Sequence, residues 1–194
     1  MWYMAYLTIL VVLLGTIGGS LSYEANSALP GDVLYLYKVS VNEQVEKFVA
    51  NTDEARARWD LLTLTERLQE ARTLALHGRL DTKVQTATTN AIQEHVTNMT
   101  GVVDRLQQAG SAAEAASIAS GLYDLLHTQE HQIADTSSLG SANLQVALAP
   151  ILVKLRVTAA SVALISIKAQ AKAHVHMQIA DAVISNASQW SIPQ

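Results

Sequence analysis

The chain contains no cysteine. That excludes disulfides, iron–sulfur clusters, cysteine-type zinc sites and a thiolate nucleophile. Phe48 is the lone phenylalanine, and nine glycines and three prolines are spread over 194 residues. Such sparse turn formers argue against an all-β chain, which needs a turn every few residues. Charge is also scarce, at 15% against roughly 25% in soluble domains. The net charge of −4 and pI near 5.8 give no basic footprint for nucleic acid. What is present is alanine, leucine and valine, with apolar residues at 49%, too many for a disordered chain. The composition predicts an all-α protein.

The first charged side chain is Glu24. Met1 to Tyr23 is long enough to cross the roughly 20-residue hydrocarbon layer as a helix. Trp2, Tyr3, Tyr6 and Tyr23 sit where interfacial aromatic belts fall. The small residues of Gly18–Ser22 and Ala25–Ser27 suit signal peptidase, but the basic region that precedes a cleaved signal is missing. Residues 1–23 are therefore expected to be a transmembrane anchor or uncleaved signal in contact with the lipid bilayer. Everything after Glu24 is then extracytoplasmic.

Beyond the anchor, residues 24–39 read as a linker, 40–188 as a helical bundle and 189–194 as a tail. Pro30-Gly31 marks a reversal. Val41, Val45 and Phe48 recur at four and three, predicting a short amphipathic helix near 40–50. Asn51-Thr52-Asp53 supplies an N-cap for a helix near 53–77, whose stripe runs Ala57, Leu61, Leu64, Leu68, Ala71 and Ala75. The charged residues between them, Asp60 and Glu70 included, are expected mostly on other faces. Gly78 ends this helix as the residue beyond its C-cap. Asp81 caps the next, near 82–109, with Ile92, Val96, Met99, Val103 and Leu106 inward and His95 half-buried, bonded to a neighbouring helix. Gly110 closes it, and Ser111 opens a helix near 112–135 whose inward face carries Ile118, Leu122, Leu125, Leu126 and Ile133. Short connections at Gly78 and Gly110 force antiparallel neighbours.

A last helix spans about Asn143 to Ser188. Pro150 within it calls for a kink or a place near the first turn. Val157 to Ile167 is apolar almost all round, which predicts a central position in the bundle. Only eleven uncharged residues separate Arg156 from Lys168, too few for a bilayer crossing of about 20. The helix is longer than its neighbours, so its end, with His174, His176 and Trp190, is expected to overhang. An exposed apolar overhang would suit a protein partner or self-association. Residues 24–140 carry 16 acidic and nine basic side chains, and residues 141–194 carry one and four. A basic last helix docked on acidic neighbours explains that division, and so does a surface for an anionic partner or lipid.

The element Ala28-Leu-Pro-Gly-Asp-Val-Leu-Tyr-Leu-Tyr-Lys-Val-Ser-Val-Asn-Glu43 is followed by Ala55-Arg-Ala-Arg-Trp59, Glu66-Arg-Leu-Gln-Glu-Ala71 and Gly78-Arg-Leu-Asp81. In this order the motifs resemble a bacterial domain family of unknown function marked by an ALPGD-x-LY-x-x-K opening. That family occurs in membrane-anchored or secreted proteins, including extracytoplasmic parts of some anti-sigma regulators. The resemblance covers residues 28–82 and continues weakly to about 134. Leu36 stands where the family commonly has proline, which alters the entry into the first helix. The resemblance implies a helical, membrane-proximal module and contributes no catalytic residue.

Asp124, His127, His131 and Asp135 fall within about 80° of one another on one helical face. Histidines at i and i+4 can share a divalent metal, with carboxylates completing the shell. The same face lies opposite the Leu122–Ile133 stripe, so a solvated polar surface accounts for it as well. His127-Thr-Gln-Glu-His131 lacks the glutamate placement of a metalloprotease. His174 and His176 point about 200° apart. Asn98-Met-Thr100 and Asn186-Ala-Ser188 match the glycosylation sequon, a tripeptide common by chance. No phosphate loop, nucleophile elbow or other cofactor motif occurs, and no cofactor is expected. Two function classes follow. One is a non-enzymatic interaction or structural module held at a membrane, and the other is an extracytoplasmic metal-binding or stress-sensing helical protein.

Overall fold

A computed structural model describes residues 24–189. The expected anchor over residues 1–23 and Trp190 of the tail lie outside the described residues. The chain divides into two compact units, residues 1–51 and 52–194. The short helical segment near 40–50 therefore belongs with the first unit rather than with the bundle.

In the first unit Asp32 closes the Ala28–Asp32 element on itself. Its carboxylate accepts from the Leu29 amide at 2.9 Å, and its own amide donates to the Leu29 carbonyl at 2.9 Å. Gly31 takes φ +96°, a conformation open to glycine at little cost. Helix α1 (Tyr35–Tyr37) leads into a π-helical stretch, Lys38–Asn42, and then α2 (Glu43–Val49). Here the expected inward stripe fails. Phe48 is 87% exposed, Val45 59% and Val41 39%, and Lys38 and Glu43 are buried instead. A π turn bonds i to i+5 and winds more slowly than an α turn, so Val41 is rotated off the face that Val45 and Phe48 share within α2.

The second unit is an up-down-up-down bundle of α3 (Asp53–Leu76), α4 (Thr82–Gln108), α5 (Ala112–Ser138) and α6 (Ala142–Gln189). No strand occurs among the described residues. Thr52 Oγ1 accepts from the Ala55 amide at 3.1 Å and Asp81 Oδ1 from the Val84 amide at 2.8 Å, so both helices start on side-chain caps. Ser111 makes no such bond. Gly78 (φ +66°) and Gly110 (φ +85°) end α3 and α4 in the same way. Arg79 N–H reaches the Leu74 carbonyl, and Ser111 N–H reaches that of Leu106, the long bond of a Schellman turn.

Cross-helix bonds set the register. Arg105 near the end of α4 holds Asp53 at the start of α3, at 2.6 Å, as antiparallel neighbours require. Gln85 bonds the Ala147 carbonyl, Lys154 bonds Gln93 and Lys172 bonds the Gln107 carbonyl, so α4 and α6 run parallel across the bundle. Arg156 pairs with Glu130 at 2.9 Å, and Gln170 donates to Ser120, which fixes α5 and α6 antiparallel. The core is apolar and closely shared. Leu64, Leu68, Ile92, Met99, Leu122, Leu126, Ile133, Leu148, Ile151 and Leu155 are all fully buried.

The core departs from the sequence stripes in three places. Leu61, Ile118 and Leu125 are half-buried rather than enclosed. Asp60 and Glu70 are buried on α3, not on an outer face. The apolar girth Val157–Ile167 does not lie at the bundle centre, because α6 is a side of the bundle and buries one face only. Val162 and Ala159 turn inward, while Val157, Leu164 and Ile167 are 62%, 64% and 62% exposed.

Candidate functional site

Four places in the second unit combine chemistry with position. The first is the α5 face. Asp124, His127, His131 and Asp135 are all exposed, as their place opposite Leu122 and Ile133 requires. His127 and His131 come together, with their Nε2 atoms 3.3 Å apart and ring centroids 4.5 Å apart. Tyr123 extends the row, its ring 5.7 Å from His127. Asp124 and Asp135 do not complete a shell. Among the described residues no group of three or more histidine, aspartate or glutamate side chains is placed to hold a metal ion.

The second is a buried polar contact between α3 and α4. His95 Nδ1 lies 2.7 Å from Asp60 Oδ1, and the Asn98 amide donates to the same oxygen at 3.2 Å. The Trp59 ring meets His95 edge-on at 5.7 Å. The helix partner expected for His95 is thus Asp60. In the sequence Asp60 stands among other charges and so looks solvated. A signal was available, since Asp60 precedes Leu64 by four and so shares its face. With both groups enclosed and the carboxylate doubly bonded, the contact is a structural tie between helices.

The third is an open cleft of about 620 Å³ where α5 begins, lined by Ala112, Glu114, His174, His176 and Met177 among others. Both histidines reach it despite their divergence on the helix, although His174 is bonded to Gln178 at 3.0 Å. From His174 to Asn186 every side chain is exposed, so the overhang begins at this cleft.

The fourth is the outer face of α6. The helix has 48 residues, or about 72 Å, against 27 and about 40 Å for α5. Pro150 lies inside it without ending it. Both Pro150 and Val146 are exposed, so water can reach the carbonyl that the missing proline N–H leaves unbonded. Leu148, Ile151, Leu155, Val162 and Ala169 are buried on one side, and on the other Val146, Val153, Val157, Leu164 and Ile167 stand in the open. Lys154 and Arg156 flank the open side and are held to the bundle by Gln93 and Glu130. Among the described residues α6 is the one helix long and apolar enough to cross a membrane by length and composition, and a third of its most apolar window is buried inside the bundle. No protein-family model, curated protein or solved structure matches the chain. The fold and this face define it as an all-helical bundle with a long, one-sidedly exposed apolar C-terminal helix.

Proposed function

We propose that the protein is a non-enzymatic interaction module, anchored in a membrane by residues 1–23 and carrying its helical bundle on the extracytoplasmic side. The observation that carries this reading is the outer face of α6. Large apolar side chains exposed in a row over most of a helix are rare on monomers and mark surfaces meant to be covered. Docking of α6 along α5 supports a bundle helix over a membrane crossing. The Arg156–Glu130 pair and the Lys154–Gln93 bond tie its charged positions to the bundle. The uncharged run before Glu24 and the ALPGD resemblance support the anchor and the compartment.

The test has two arms. Intact cells treated with protease are expected to lose an epitope at Gln194, and its survival until lysis would overturn the orientation. A photo-crosslinker at Leu164 is expected to capture protein. Capture of lipid alone would overturn the interaction reading. A second reading, metal binding, rests on the His127–His131 pair. Stoichiometric zinc in the purified full chain, lost on His131→Ala, would favour it.

A further inference from the structure

We infer that the outer face of α6 pairs with α6 of a second copy of this chain, in antiparallel orientation. This rests on the interaction reading above and names its partner. The open face has a regular period. From Val146 to Ala171 the exposed apolar positions alternate at spacings of four and three, through Val153, Val157, Leu164 and Ile167. That is the 3.5-residue repeat a second helix requires, sustained over nearly four heptads and roughly 38 Å. The buried side keeps its own seven-residue repeat on the opposite flank, at Leu148, Leu155, Val162 and Ala169. The helix thus carries two seams. Its own bundle fills one, and the other is open.

The side chains along the seam also select a register. An antiparallel pair centred between Thr158 and Ala159 sets Val157 against Ala160, Val153 against Leu164, Pro150 against Ile167 and Val146 against Ala171. Every seam position then has a partner, and small residues sit against larger ones. A parallel pair would set Ala160 and Pro150 each against itself, leaving a gap beside a rigid ring. Charge favours the same orientation. Like charges at flanking positions would repel. In the antiparallel register the nearest flanking neighbours, each two residues off level, are Ser161 for Lys154, Ala163 for Arg156 and Ala147 for Lys168, so no two cations meet. Beyond the seam, the overhang of one copy reaches the level of the other's Leu139, which is 89% exposed.

The footprint also sets the strength. A strip about 38 Å by 10 Å is on the order of 400 Å² in projection on each copy, below a standard interface. Pairing is therefore expected to depend on concentration and to gain from confining both copies to one membrane surface.

The absence of cysteine makes the test direct. Full-length chains carrying Val146→Cys or Ala171→Cys, each with a different tag, are reconstituted in detergent micelles or vesicles and oxidised. The expected result is a mixed disulfide when the two are combined and little product from either alone. Adding Leu164→Lys to both chains is expected to lower its yield at least tenfold with an unchanged melting temperature, since Leu164 is exposed in the single chain. Efficient disulfides in each single variant would overturn the antiparallel register, and no disulfide in any arm would overturn pairing. The Leu164 photo-crosslink separates this from the broader reading. A product of two copies supports the pairing. A product with a different protein overturns the pairing while keeping the interaction module, and lipid alone overturns both.

Discussion

At the scale of single residues, the polar tie between α3 and α4 is the most consequential feature. Asp60 is 3% exposed and accepts from Asn98 while bonding His95. Buried polar groups lose far more when one partner is deleted than an intact bond gains. Asp60→Ala is expected to cost about 1–3 kcal/mol, because the buried His95 then faces a cavity without an acceptor. Asp60→Asn keeps an oxygen at that place and is expected to recover part of the loss. Thermal unfolding of the three chains checks the order, and equal melting temperatures for wild type and Asp60→Ala would show that the contact carries nothing. The tie was only half legible in the sequence. His95 beside Ile92, Val96 and Met99 announced a polar group near the core, but the identity of its partner depends on how α3 and α4 are rotated against each other.

Among the elements, the helix ends were the most legible, because capping is local chemistry. Thr52, Asp81, Gly78 and Gly110 each act within a few residues of themselves. One long-range bond adds to them. Asp53 in the first turn of α3 meets Arg105 in the last turn of α4, each at the helix end whose dipole favours it. The hydrogen bond from Arg105 holds the Asp53 carboxyl below its ordinary range, and the same bond raises the Arg105 guanidinium. A carboxyl depressed in the folded state stabilises it above its unfolded pKa, and that contribution is lost as pH falls through the folded value. Because Arg105 is half exposed, the pair is worth less than about 1 kcal/mol. Asp53→Asn is therefore expected to lower stability slightly at neutral pH. The difference from wild type should shrink in high salt and vanish below the carboxylate range. Denaturant titrations at pH 7 and pH 2 check this, and a deficit that persists at pH 2 would point to a cause other than the Asp53 charge.

On the scale of the whole molecule, the bundle ends where α6 passes Ala112 and His174, and the helix goes on alone. Removal of the described residues beyond Gln178 touches no buried side chain. A chain ending at Gln178 is expected to unfold at the same temperature as the full chain when dilute. At concentrations where copies pair, both chains should gain stability alike, because the seam from Val146 to Ala171 is present in each and the residues beyond Gln178 run past the start of the partner copy's α6. Melts across a hundredfold range of concentration test this, and a large loss at every concentration would show that the tail belongs to the core.

The composition, the caps and the three-four stripes determined a helical fold without strands over the described residues, four long helices in nearly their observed places, and antiparallel neighbours. These follow from interactions within one turn or across a short connection, which the order of residues specifies directly. Tertiary structure decided which faces are inside. Val157 to Ile167 reads as a core segment because it is apolar on every side, yet α6 has the bundle on one side only, so half of that surface stays open. Asp60 reads as solvated because it stands among charges, yet α4 closes over it. Burial is a property of what lies opposite a side chain, and two helices brought together by distant parts of the chain leave no local trace of that choice.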